Sequence, residues 1–194
     1  MASTVRPETI RTFVAFGLPQ WITDAIQEIQ KDLKTRKLKI RWVPAKNLHM
    51  TLKFLGPTGK DQLEAVGQAL TQALAGFSSL RLRARGLGVF PGIRRPRIVW
   101  IGIDGDIEAL RQMQQSIEDH LAQVGFAPEK RSFKAHLTIG RVKGTLNAND
   151  LLKAIQAHQE FQSAAFQVRQ IELIKSDLKP QGPQYSRLLG VALQ

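Results

Sequence analysis

Two histidines carry the chemistry open to this chain, each at the head of the same short phrase. His49-Met50-Thr51-Leu52-Lys53-Phe54-Leu55-Gly56 and His136-Leu137-Thr138-Ile139-Gly140-Arg141-Val142-Lys143 both read His-x-Thr followed by an aliphatic residue. Thr, Leu, Ile, Val and Phe in alternation favour a β-strand, where residues i and i+2 share a face. Each copy therefore sets an imidazole beside a hydroxyl, a pair suited to handling phosphate. With an unperturbed pKa near ~6.5, one imidazole can accept a proton from an attacking oxygen while the other donates to a leaving oxygen. The hydroxyls of Thr51 and Thr138 can donate to non-bridging oxygens as charge builds on phosphorus. No protein nucleophile is required, so no covalent intermediate is implied.

Zinc is the rival use of His49 and His136. Neither belongs to an i, i+4 histidine pair or a supporting carboxylate motif, so no metal and no cofactor is expected. Asp104-Gly105-Asp106 reads as a turn and helix N-cap rather than a metal fragment. Of the four histidines, His120 and His158 fall late in predicted helices with no threonine beside them. They read as surface or helix-end residues.

The elements that must position these phrases are legible by period. Arg11–Phe16 is a strand stopped by Gly17-Leu18-Pro19, and Trp21, Ile22, Ile26, Ile29 and Leu33 recur at helical spacing. Ile40–Val43 is a short strand, and Gly56-Pro57-Thr58-Gly59 is expected to end the first histidine strand. A helix follows from Asp61 to Leu74. From Leu80, apolar residues alternate with Arg81, Arg83 and Arg85, a pattern that fits an edge strand blunted by charge and also a substrate track. Pro91–Arg97 is a basic loop, Ile98–Ile103 a buried strand, and Ile107–Leu121 a helix. Asn147–Phe161 is read as helix, Phe166–Ile174 as one long strand, and Lys179–Pro183 as a hairpin loop.

The interval from His49 to His136 also superposes Phe13 on Trp100, Val14 on Ile101 and Phe16 on Ile103. Each half reads strand, helix, His-x-Thr strand, helix, strand. Such a duplication predicts a single domain over 1–194 made of two intertwined lobes, with internal repeats at roughly 8–90 and 96–192 related by a pseudo-twofold axis. The two phrases would face each other across a groove.

Lys and Arg number 28 against 16 Asp and Glu, a net charge of +12, which favours a polyanion such as nucleic acid as partner. The chain contains no cysteine, which excludes disulfides, thiolate metal sites and cysteine nucleophiles. Neither a signal-like segment nor a membrane-length apolar run is present, so a cytoplasmic protein with no membrane association is expected.

Together these residues resemble the two-histidine (2H) phosphoesterases, in particular the bacterial and archaeal RNA 2′,3′-cyclic phosphodiesterases also described as 2′–5′ RNA ligases. The likeness runs through Arg11–Phe16, Asn47–Gly56, Val99–Gly102, His136–Arg141, Leu173–Ser176 and Tyr185. It implies an α+β, bilobal fold with two central antiparallel sheets flanked by helices. It also implies metal-independent opening of a terminal 2′,3′-cyclic phosphate on RNA to a 2′-phosphate, with 2′–5′ ligation as a second activity. The partner would be RNA with such an end, tRNA fragments among the candidates, and the protein a monomer. His49 is implied to be the proton donor and His136 the acceptor, with Arg141, Tyr185 and Ser176 toward the substrate. Arg141 is opposite in strand parity to His136, so it reaches the groove only if the strand ends or bulges. Lys53 has the parity of His49 and is the first copy's candidate for phosphate. A non-catalytic RNA-binding module and a 2H esterase for small cyclic nucleotides remain the alternatives.

Overall fold

A computed structural model describes residues 8–194, with nine strands and four α-helices among them. The strands are β1 (Thr9–Gly17), β2 (Ile40–Trp42), β3 (His49–Gly59), β4 (Leu80–Phe90), β5 (Ile98–Gly105), β6 (His136–Val142), β7 (Phe166–Val168), β8 (Gln170–Lys179) and β9 (Gly182–Ala192). The helices are α1 (Gln20–Thr35), α2 (Leu63–Leu74), α3 (Ile107–Gln123) and α4 (Ala148–Gln156). All pairings are antiparallel, and they form two sheets ordered β3-β1-β8-β9 and β2-β6-β5-β4-β7.

The element order runs β1-α1-β3-α2-β4 and then β5-α3-β6-α4-β8, and the two runs interlock by exchanging strands. The last strand of the first repeat, β4, lies beside β5, and β8 of the second repeat lies beside β1. Each central strand, β1 or β5, is thereby paired on both sides. The sheets therefore do not coincide with the halves of the chain. The long strand expected over Phe166–Ile174 is two strands, one in each sheet, with Arg169 at the crossing.

One face of each sheet is apolar and packs against helices. Val14, Phe16, Met50, Leu52, Leu137, Ile139, Val99 and Ile101 join Ile22, Ile26, Leu70, Leu110, Met113 and Ile117 in one core. Each such side chain, buried from water, contributes about 1.5–3 kcal/mol. The opposite faces keep the histidines. Among the described residues, no helix is long and apolar enough to cross a membrane.

Two expectations are corrected here. β3 does not stop at Gly56: Pro57 pairs with Arg11 and the ladder runs on to Gly59 opposite Thr9. Proline is tolerated there because β3 is the edge strand of its sheet. In turn, β4 is not an edge strand, since β7 pairs with Leu80–Leu82.

Candidate active site

Both histidine strands bulge at the same place. In β3 the register passes from Ala15↔Thr51 to Val14↔Lys53, leaving Leu52 over, and in β6 it passes from Trp100↔Thr138 to Val99↔Gly140, leaving Ile139 over. An extra residue reverses the parity beyond it. Each bulge is pinned by a buried glutamine from the other repeat. Gln30 of α1 donates to the carbonyls of Ile139 and Val43, both at 2.9 Å, and Val43 N–H donates to Ile139 as well. Gln114 of α3 donates to the Leu52 carbonyl at 3.3 Å. The carbonyls freed by the bulges are thus satisfied inside the core.

The parity reversal decides which cation shares a face with the histidines. Arg141 returns to the face of His136 and Thr138, and its counterpart Phe54 returns to the face of His49, 66% exposed. Lys53 is turned into the core instead, and this corrects its expected role toward phosphate. Only 4% exposed, it is ion-paired to Glu118 and donates to the Ala127 carbonyl at 2.9 Å. Glu118 also accepts from Gln114 and from the Glu129 N–H. Truncating one partner of a buried pair strands the other charge, so Lys53→Ala and Glu118→Ala are each expected to cost about 3–5 kcal/mol of stability in urea unfolding. The double change Lys53→Met with Glu118→Leu should cost much less.

The imidazoles adopt one posture. His49 Nδ1–H donates to the Asn47 carbonyl at 2.8 Å, and His136 Nδ1–H donates to the Lys134 carbonyl at 2.6 Å. A carbonyl can only accept, so the contacting nitrogen carries hydrogen in both rings and Nε2 is left for chemistry. Aromatic edges steady the rings. Tyr185 meets His49 edge-on at 5.2 Å, Phe13 lies 4.9 Å from it, and Phe90 meets His136 edge-on at 5.0 Å. In the second sheet the Trp100 ring lies over Gly88, where a Cβ would sit 2.2 Å from it.

The two faces share one space, because β3 and β6 run close together where the sheets meet and the Arg141 guanidinium of the second sheet acts on His49 and Tyr185 of the first. Burial pushes the His49 imidazole below its ordinary value; the bond to Asn47 opposes this and Arg141 adds to it. Burial raises the Tyr185 phenol, while Arg141 and Arg11 draw it down. Ser176 is the cross-strand partner of Tyr185 and so shares its face. A cavity of about 190 Å³ opens beside His49, lined among others by Lys46, Glu172, Ile174, Tyr185 and Arg187. A larger apolar hollow of about 640 Å³ between α2 and Leu188–Leu189 includes neither histidine.

The remaining histidines lie elsewhere, as expected. His120 bonds its own helix through Ser116, and His158, just past α4, bonds Asp32 of α1 at 2.9 Å. Among the described residues, no group of three or more His, Asp or Glu side chains is arranged to hold a metal ion. Phe13, Phe90, Phe54 and Arg11 were not among the expected site residues. Phe13 could have been found from its place opposite Trp100 in the repeat, whereas Phe54 needed the bulge.

The sequence profile of the 2′-5′ RNA ligase superfamily matches residues 18–180. The chain belongs to this superfamily. It is 34% identical to the RNA 2′,3′-cyclic phosphodiesterase of Methanothermobacter thermautotrophicus over 91% of its own length and 95% of that protein. To the RNA 2′,3′-cyclic phosphodiesterase of Aeropyrum pernix it is 36% identical, over 78% and 85% respectively. A crystal structure from Thermus thermophilus, of the protein TT0787, superposes with a TM-score of 0.76 at 25% identity, covering 95% of this chain and 98% of that one. The superfamily's fold is thus the α+β arrangement of two antiparallel sheets that the resemblance implied.

Membership leaves the protonation of His49 to be measured. A phosphate held between Arg141 and His49 would offset the guanidinium and favour the imidazolium. His49 is therefore expected to titrate below ~6.5 in the free protein and to move upward when adenosine 2′-monophosphate saturates the site. Imidazole NMR, assigned against His49→Ala, reads this directly. A midpoint unmoved at saturation would place the phosphate away from Nε2.

Proposed function

We propose that this chain hydrolyses the terminal 2′,3′-cyclic phosphate of RNA to a 2′-phosphomonoester, as the names of its relatives state for them. The observation that carries this reading is the matched pair of histidines, each with Nδ1–H tied to the carbonyl two residues back and a threonine on its face.

In this reading His136 Nε2 takes a proton from water as its oxygen bonds to phosphorus. The bond from phosphorus to the 3′ oxygen breaks, and that oxygen takes the proton from His49 Nε2. The products are a 2′-phosphomonoester and a free 3′-hydroxyl, and the two imidazoles regain their starting states by exchange with solvent. Thr51, Thr138 and Arg141 bind the non-bridging oxygens, where charge grows. Tyr185 and Ser176 lie on the His49 side and contact the terminal nucleotide. A 5′-hydroxyl replacing water, with the same 3′ oxygen leaving, would yield a 2′–5′ linkage, so ligation requires no further catalytic group.

The test is an oligoribonucleotide ending in a 2′,3′-cyclic phosphate, incubated with EDTA present and the product end identified. A 2′-phosphate is expected. An intact cyclic end, or a 3′-phosphate, would overturn the reading.

A further inference from the structure

The row Arg81, Arg83, Arg85 is not explained by the fold. Leu80, Leu82 and Ala84 of β4 face the core, so the three arginines face the other way, onto the side of the second sheet that carries His136. Protecting an open edge is the usual structural use of such charges. Here β7 already pairs with Leu80–Leu82, and that use falls away.

The register then gives the row a direction. His136 pairs with Gly102, and Gly102 pairs with Arg85. At about 4.8 Å per strand, Arg85 begins roughly 10 Å from the backbone of His136, and the position between them has no side chain. From Arg85 the row continues to Arg83 and Arg81 with two-residue steps of roughly 6.6 Å, comparable to the separation of successive phosphates on an extended single strand. Opposing charge is sparse. Asp104 lies 3.4 Å from Arg85, and the Asp106 carboxylate is engaged by the Arg81 backbone N–H at 2.7 Å. Arg81 and Arg83 have no side-chain ion pair among the described residues. The first sheet offers no such row: Arg11 and Arg187 share the face of His49 but stand apart on β1 and β9, not at successive alternate positions of one strand.

Resting on the function proposed above, we infer that the RNA leading to the cyclic end passes from His136 over Gly102 and along Arg85, Arg83 and Arg81. Its upstream phosphates are bound by these three guanidiniums. The row then distinguishes a polymer from a cyclic mononucleotide, which ends at the histidines and touches none of the three.

The experiment compares wild type with the triple variant Arg81→Gln, Arg83→Gln, Arg85→Gln. A second triple, Arg94→Gln, Arg95→Gln, Arg97→Gln, removes equal charge from the loop at the far end of β4. Thermal unfolding midpoints establish that each variant is folded. On a six-residue oligoribonucleotide with a cyclic phosphate end, the strand triple should lose about tenfold or more in kcat/KM, through KM. Its log–log salt slope should flatten by about two, at roughly 0.7 per phosphate on a single strand. Turnover of 2′,3′-cyclic AMP should be unchanged. Equal losses on both substrates, no loss on the oligomer, or a flattened slope confined to the loop triple would overturn the inference. Absence of wild-type turnover on either substrate would instead count against the proposed function. Binding of a fluorescent oligomer ending in a 2′-phosphate, measured over the same salt series, still decides the path of the strand in that case.

Discussion

Replacing either His49 or His136 with alanine is expected to lower turnover on a cyclic-phosphate RNA end by about 10²–10⁴, with EDTA leaving the wild-type rate unchanged. Both rings are locked in one tautomer by a carbonyl two residues back, so each presents a single working nitrogen. Neither can substitute for the other, because their strands belong to different sheets. The double variant should be little worse than the worse single one, since an acid and a base acting in one step work as a unit. Activity abolished by EDTA and restored by zinc would defeat the two-imidazole mechanism. Near-normal activity in either single variant would remove that histidine from it. Stability is not expected to fall in step with the activity: both rings lie on the faces of their sheets turned away from the main core.

Much of this site was legible because the duplication displays its own registration. His49 with His136, and Phe13 with Trp100, are each other's evidence, and period-two alternation was enough to put histidine and threonine on one face. What stayed hidden depended on tertiary structure. A bulge is one residue that does not pair, and nothing in Leu52-Lys53 or Ile139-Gly140 signals it; it is held by Gln114 and Gln30, remote in sequence. Lys53 was therefore read onto the wrong face, while Arg141 depended on a condition that the structure meets. Strand exchange was hidden for a related reason. Local pattern says that Leu80–Phe90 is a strand but not whose neighbour it is, so a row of arginines beside β7 could be taken for an edge.

The division of labour between the histidines is open to a chemical test, because a donor and an acceptor differ in what can replace them. The duplicated posture of the two rings is symmetric, and the assignment of His49 as donor follows from the family resemblance. The environment sharpens the question: burial and Arg141 hold His49 toward its neutral form before substrate arrives, so a donating His49 must gain its proton as the phosphate binds. In kcat/KM, which reports the free enzyme, the high-pH loss of a donor with a lowered pKa begins below ~6.5. In kcat, which reports the complex, it should shift upward. The decisive substrate carries sulfur in place of the bridging 3′ oxygen. An alkoxide leaves poorly without a proton, whereas a thiol with a pKa near ~8.5 departs as thiolate. On this substrate His49→Ala should recover a large part of its lost rate relative to wild type, while His136→Ala remains impaired because its water still lacks a base. Rescue of His136→Ala alone would exchange the two roles. Rescue of neither would mean that protonation of the leaving oxygen does not limit the reaction, and the cost of losing His49 would then lie in binding the phosphate.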